Sequence, residues 1–342
     1  MWNGNQLGIA AGFVFLTAAA ALLWTSFAVL AAVRSQGFLI AAFTGGMVLS
    51  ITSALVATAR APTTEVLIWS FAIGVVLCVA LSIRHIQTMF PCSYESFART
   101  FGELLVQVRS SAILCAGVLF AICGVWMDKW VFWLGSEGAR SEAGFLHSSA
   151  YDSVMFLAHL SVIPTYAALL VFHHGDLIAI IDRFKSAIET RSTYGLVRER
   201  LEELESVAWS GVFTIAFVQA AVTIGIILMS PLLAKSLDFS FGQFLMLRVG
   251  LIGVFLHSVM FLCCALLLVT NRIRHFAVIQ GMFLLLNLGI SLGLHVTIGM
   301  SAYAFLASSL LGAGAAVHAA YQALKAYDYD IFLGENDSLY SD

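Results

Sequence analysis

The string Trp126-Met127-Asp128-Lys129-Trp130-Val131-Phe132-Trp133 sets an acid beside a base inside an aromatic, otherwise apolar run. Indole rings can stack on sugar rings, while the carboxylate and the ammonium can pair with charged groups or bond hydroxyls. At the end of a membrane-spanning helix the same residues have a plainer use, because tryptophan prefers the interface and Asp128 and Lys129 can compensate each other there. Both readings stand: an anchoring belt, or one wall of an outward-facing cavity built from Trp126, Asp128, Lys129, Trp130 and Trp133. A second string begins with Tyr151 and Asp152, carries His159 and Ser161, and reaches Pro164. A proline within a span frees a carbonyl and kinks the helix, which serves a transporter that bends or lines a cavity, or makes a static kink. His159, Gln219, Arg248, His257, His295 and His318 are polar or ionisable residues in apolar surroundings and so are functional suspects. The plainer role is an interhelical hydrogen bond for Gln219 and satisfied packing for each histidine.

Signatures of catalysis carry little: the GxSxG string Gly289 to Gly293 lies inside the apolar run of an expected span and not at a strand-to-helix turn, and HExxH, a P-loop and a GxGxxG after a strand do not occur. His173 and His174 are adjacent and face different ways on a helix, a poor chelate. The six cysteines (Cys78, Cys92, Cys115, Cys123, Cys263, Cys264) lack CxxC or Cys/His metal spacing and read as small buried hydrophobes. No enzyme activity, cofactor, metal or disulfide is expected.

The elements that position these residues follow from composition. Of 342 residues 60% are hydrophobic and 11% charged, with a mean hydropathy of +0.93. Soluble domains carry about 25% charged residues, so a soluble enzyme, a nucleic-acid binder and a disordered chain are excluded together. The net charge of -3 implies no polyanionic partner. A hydrocarbon core about 30 Å thick needs about 20 apolar helical residues. Nine such segments occur, at roughly 8–33, 37–58, 66–83, 110–126, 155–172, 207–228, 244–270, 276–298 and 304–320. The expected fold is an all-α polytopic membrane protein. Residues 1–85 would form a bundle of three spans, 86–109 an interfacial linker, 110–325 a bundle of six spans, and 326–342 an acidic tail.

Twelve of the 17 Lys and Arg residues fall on one set of alternate connections, which predicts an outside N-terminus and an inside C-terminus. No basic leader or cleavage site instructs export of that terminus, an arrangement expected if the gene product begins further upstream. The largest soluble feature, 173–205, holds two apolar stripes at helical spacing: Leu177, Ile178, Ile180, Ile181, Phe184 and Ile188, then Leu196, Val197, Leu201 and Leu204. A turn at Thr190 to Gly195 separates two amphipathic helices. They could dock a cytoplasmic partner or anionic lipid through Asp176, Arg183, Lys185, Arg198 and Arg200, or cover the inner mouth of the bundle.

From Trp126 onward the ordered strings Trp126 to Trp133 and Tyr151 to Pro164, then Gln219 and Pro231, resemble the PelG family of exopolysaccharide transporters. Leu23-Trp24 and the hairpin through Arg34 extend the resemblance over almost the whole chain. It implies a multidrug/oligosaccharidyl-lipid/polysaccharide flippase architecture, MATE-like, with two bundles of six helices. It also implies transport of the cationic polysaccharide Pel across a bacterial inner membrane, alongside a cytoplasmic glycosyltransferase and other membrane subunits. The opening span here resembles the family's fourth, so three N-terminal helices are expected to be missing. After the fifth span the family tends to have an acidic residue, Thr, Asp and Phe, where this chain has His174, Gly175, Asp176 and Leu177. The resemblance implies alternating access, with Asp128, Lys129 and the neighbouring tryptophans at an outer mouth and Tyr151, Asp152, Pro164 and Gln219 shaping a cavity. The rival readings are a scaffold that docks a glycosyltransferase, a multidrug exporter and an intramembrane enzyme.

Overall fold

The computed structural model describes residues 4–33, 35–91, 97–141, 144–190 and 193–334, so Arg34, Cys92 and the end of the acidic tail, 335–342, lie outside the described residues. Nine helices among the described residues are long and apolar enough to cross a membrane, and each corresponds to an expected span. The protein is an all-α, multi-pass membrane protein. The chain divides into two compact units, Met1–Glu103 with Arg140–Phe145, and Leu104–Ala139 with Leu146–Asp342.

The first unit contains α1 (Gly4–Ala32), α2 (Gln36–Thr58) and α3 (Thr64–Met89), with α3 packed on both others. Apolar burial gives little preference between lipid and a neighbouring helix, so small residues and hydroxyls make this contact. A Cβ on Gly74 would run into Ser50 Oγ and the Gly46 carbonyl. Around that crossing Cys78 Sγ donates to the Ala42 carbonyl at 3.2 Å, and Ser50 Oγ to the Phe71 carbonyl at 3.2 Å. Helix α3 is capped by Thr63, whose hydroxyl accepts from the Val66 N–H, and it runs past the expected end of its span.

The second unit is built on α5 (Ala112–Leu134), α6 (Ser149–Leu160), α7 (Ile163–Phe172), α8 (Ile178–Glu189), α9 (Tyr194–Ser236), α10 (Phe241–Val269), α11 (Ile273–Ile298), α12 (Tyr303–Lys325) and α13 (Tyr327–Gly334). The amphipathic α4 (Phe97–Ser110) leads into it, and the boundary between the units falls within that helix. A two-stranded ribbon, Ala139–Arg140 and Leu146–His147, joins α5 to α6. Helices α5 and α11 run parallel: Gly117 lies against Phe276 and Ala277, and Gly124 against Phe283 and Leu284. The buried Asn287 side chain ties them further, its amide donating to the Gly124 carbonyl at 2.8 Å. Elsewhere α10 packs on α6, α9 and α12.

The 173–205 region differs in one respect from two separate amphipathic helices. Only a π-helical turn, His173–Leu177, separates α7 from α8, and α9 continues unbroken for 43 residues from the expected second amphipathic segment through the sixth span. Nothing between Gly195 and Pro231 breaks a helix, so propagation costs less than a new start. The stripes pack inward: Leu177, Ile180, Ile181 and Phe184 of the first, and Val197, Leu201 and Leu204 of the second, are buried. Leu196 is exposed instead, since its neighbour Val197 holds the i, i+4, i+7 line of the buried face. Phe184 also stacks on Tyr327 at 5.5 Å, and burial pushes the Tyr327 phenol above its ordinary pKa.

Candidate functional site

Helix α5 continues two turns beyond Trp126, to Leu134, and this carries the acid–base pair inside the helix. Asp128 is fully buried and Lys129 nearly so. Asp128 Oδ2 accepts a 2.5 Å hydrogen bond from the Tyr151 hydroxyl of α6, and Oδ1 accepts the Lys129 backbone N–H at 2.9 Å. The Lys129 ammonium lies 4.0 Å from Asp128 Oδ1, donates to the Val125 carbonyl at 3.1 Å and sits 5.2 Å from the Trp126 ring centroid. A cation in the last turns of a helix is favoured by the macrodipole. Asp128 exposes no surface in this structure, and its partner Tyr151 is equally buried, its ring centroid 4.6 Å from that of Phe132.

The second carboxylate is more accessible. Asp152, in the first turn of α6, accepts the Trp133 indole N–H at 2.9 and 3.0 Å and the Ser148 backbone N–H at 2.9 Å. An anion at a helix N-terminus is stabilised there. The Trp126 and Trp133 rings meet edge to face at 6.0 Å, while Trp126 and Trp130 keep 42% and 38% of their surface exposed. One constellation thus joins Trp126, Asp128, Lys129, Trp133, Tyr151 and Asp152, with Trp130 on the outward face of the same helix.

Pro164 and Gln219 belong to a separate polar cluster. Helix α6 ends at Leu160 and α7 begins at Ile163 with Pro164 in its first turn. Ser161 and Val162 bond back to Ala158 and His159 three residues earlier, a tightening that lets the chain restart. Across this break lies the fully buried Gln219 of α9. Its carbonyl oxygen accepts the Thr165 hydroxyl, and its amide donates to Ser161 Oγ and Thr223 Oγ1, each at 3.3 Å. Gln219 is thus the interhelical link that bridges both sides of the break.

The family model of PelG, described as "Putative exopolysaccharide Exporter (EPS-E)", matches residues 1–332. The chain belongs to the PelG family. No curated protein and no solved structure matches. As a PelG-family member the protein is assigned to exopolysaccharide export, and the family's description is of an exporter, not of an enzyme.

The candidates of the 173–205 region of this PelG-family chain divide by their surroundings. Asp176 is exposed and lines a cavity of about 790 Å³ with Arg183, Glu203, Ser206, Ser210 and Thr214. Arg183 and Arg200 share Glu203, at 3.7 and 2.7 Å, and Arg198 pairs with Glu202 at 3.3 Å. Such exposed pairs contribute little to stability. Lys185 is exposed, and the side chain of His174 lies outside the described residues. Sequence reasoning missed Ser148, Thr165 and Thr223, which with Ser161 hold the carboxylate and the break. It also missed Glu137, whose Oε2 lies 3.4 Å from His295 Nδ1. Hydroxyls flanking Pro164 on both sides were the one local signal available. Among the described residues no group of three or more His, Cys, Asp or Glu could hold a metal ion.

Proposed function

We propose that the protein moves a cationic, Pel-like polysaccharide across a bacterial cytoplasmic membrane by a flippase-like change of access. Its N-terminus would lie outside and its C-terminus inside, as the Lys and Arg distribution suggests. The observation that carries this reading is Asp152, held half-buried between the Trp133 indole and the start of α6 beside a second, closed carboxylate. Ionisable groups at membrane depth are costly and are retained for function. Carboxylates beside exposed indole rings suit a chain of sugars bearing ammonium groups, through charge, hydrogen bonds and stacking. Asp152 is the first contact, Asp128 and Lys129 become reachable when the helices move, and the Pro164 break is where α6 and α7 flex.

The test replaces Asp152 with asparagine, which still accepts the Trp133 N–H but carries no charge. In a strain lacking the native gene, secreted polysaccharide falls roughly tenfold at equal membrane abundance of the protein, the effect of one lost charge contact. Export equal to the native level would end the cationic-sugar reading.

A second reading rests on the charged residues of α8 and α9, Lys185, Arg198 and Arg200, and on the cavity that Asp176 lines with Arg183. It is the docking of a cytoplasmic glycosyltransferase, with other membrane subunits, without transport by this chain. Under it, Arg198→Glu with Arg200→Glu abolishes co-purification of the glycosyltransferase, and Asp152→Asn leaves export unchanged. Retained co-purification with the reversed charges would dismiss it.

A further inference from the structure

A basic cavity opens where α5 and α11 begin. It measures about 660 Å³ and is lined by Arg109, Arg272, Arg274 and His275, by Ser110 and Ser111, and by the first residues of both helices. Among the described residues no acidic side chain lines it. Arg109 and Arg274 are exposed and form no ion pair among the described residues. The α10–α11 turn that presents this edge is fixed: Asn271 adopts a left-handed φ of 58°. From it the Asn271 N–H bonds the Leu268 carbonyl at 3.2 Å, and the Arg272 N–H bonds the Leu267 carbonyl at 2.8 Å.

The helix geometry reinforces the charge. Because α5 and α11 are parallel neighbours, their N-termini lie side by side, and Ser111 at the N-cap of α5 makes no side-chain capping bond. Two aligned positive dipole ends next to arginines repel one another and attract an anion. The spans start at Ala112 and Ile273, so in a bilayer the cavity would lie where both helices enter the membrane.

We propose that this cavity is a phosphate-binding site for a phosphate-bearing ligand: a phospholipid headgroup, or a soluble diphosphate approaching from the aqueous side. Planar guanidinium groups match phosphate oxygens in pairs, and basic pockets between spans favour anionic headgroups. The proposal uses none of the residues of the Asp152 constellation, so it stands or falls independently of the transport reading.

The experiment takes the full chain in nanodiscs of phosphatidylcholine and titrates two probes, inorganic pyrophosphate and dioctanoyl phosphatidylglycerol. Binding is expected for at least one probe, weakened by about tenfold for each arginine lost in Arg109→Gln and in Arg109→Gln with Arg274→Gln. A variant with Arg60→Gln and Lys235→Gln loses the same charge elsewhere and is expected to bind like the native protein. Both arginines are exposed, so melting without ligand should not change, and the single Arg109→Gln variant serves should the double one fail to fold. Pyrophosphate binding identifies a soluble diphosphate as an occupant; binding of the lipid alone identifies the headgroup; mutual competition shows one phosphate subsite serving both. The proposal is overturned if neither probe binds, if the arginine variants bind unchanged, or if the control variant loses as much.

Discussion

Lys129→Met unfolds more readily than the native protein by about 3 kcal/mol, the loss expected when one member of a buried ion pair is removed and the other is left. Asp128 then keeps the Tyr151 hydroxyl and one backbone N–H, but no cation, among side chains that expose no surface. Asp128→Leu costs less, because Lys129 retains the Val125 carbonyl and the Trp126 ring and its long stem can carry the ammonium toward the interface. The double variant is therefore more stable than the sum of the two losses predicts. The positive coupling, read from detergent-solubilised protein by a thermal double-mutant cycle, is about 1–2 kcal/mol. Additive losses would mean that the 4.0 Å approach of Lys129 to Asp128 carries no energy, and that Tyr151 alone keeps the carboxylate in place. Tyr151→Phe is the companion measurement, since it removes the hydroxyl and keeps the ring against Phe132.

The spans were legible because membrane helices need long apolar runs, and nothing else in the chain resembles them. Partners were not legible, because hydrogen bonds across a bundle join residues far apart in sequence. Nothing in the spacing of Trp126, Trp130 and Trp133 tells that Trp133 reaches Asp152, 19 residues on, while Trp130 faces outward. The fourth span also ran further than its apolar stretch suggests. Asp128 and Lys129 look like an end in one dimension, but Tyr151 supplies the hydrogen bond that lets the helix continue to Leu134. The expected turn at Thr190 to Gly195 marks where α8 stops at Glu189, but α9 already begins at Tyr194, and its unbroken course could not be read. Its amphipathic beginning and its apolar remainder look like two elements until no breaker is found between them.

Gln219→Leu and Pro164→Ala separate packing from motion at the break between α6 and α7. Leucine at 219 removes the acceptor of the Thr165 hydroxyl and the donor to Ser161 and Thr223, all buried. Interhelical hydrogen bonds in membranes contribute about 0.6 kcal/mol each, reaching about 1.7, so the variant is less stable by about 1–2 kcal/mol. Ser161 keeps its bond to the Ala158 carbonyl, which limits the loss. Alanine at 164 restores a backbone N–H and lets α6 and α7 join as one helix, so melting stays level or rises. If the break is where the transporter bends, Pro164→Ala reduces polysaccharide export by about tenfold or more despite its sound fold, as hinge substitutions do. Gln219→Leu reduces export only in proportion to the protein lost from the membrane. Measured together as melting temperature and as secreted polysaccharide per unit of membrane protein, Gln219→Leu lowers the first and leaves the second unchanged, whereas Pro164→Ala lowers only the second. Normal export from a fully stable Pro164→Ala protein would make the kink a packing feature, and α6 and α7 would then move as one rigid body.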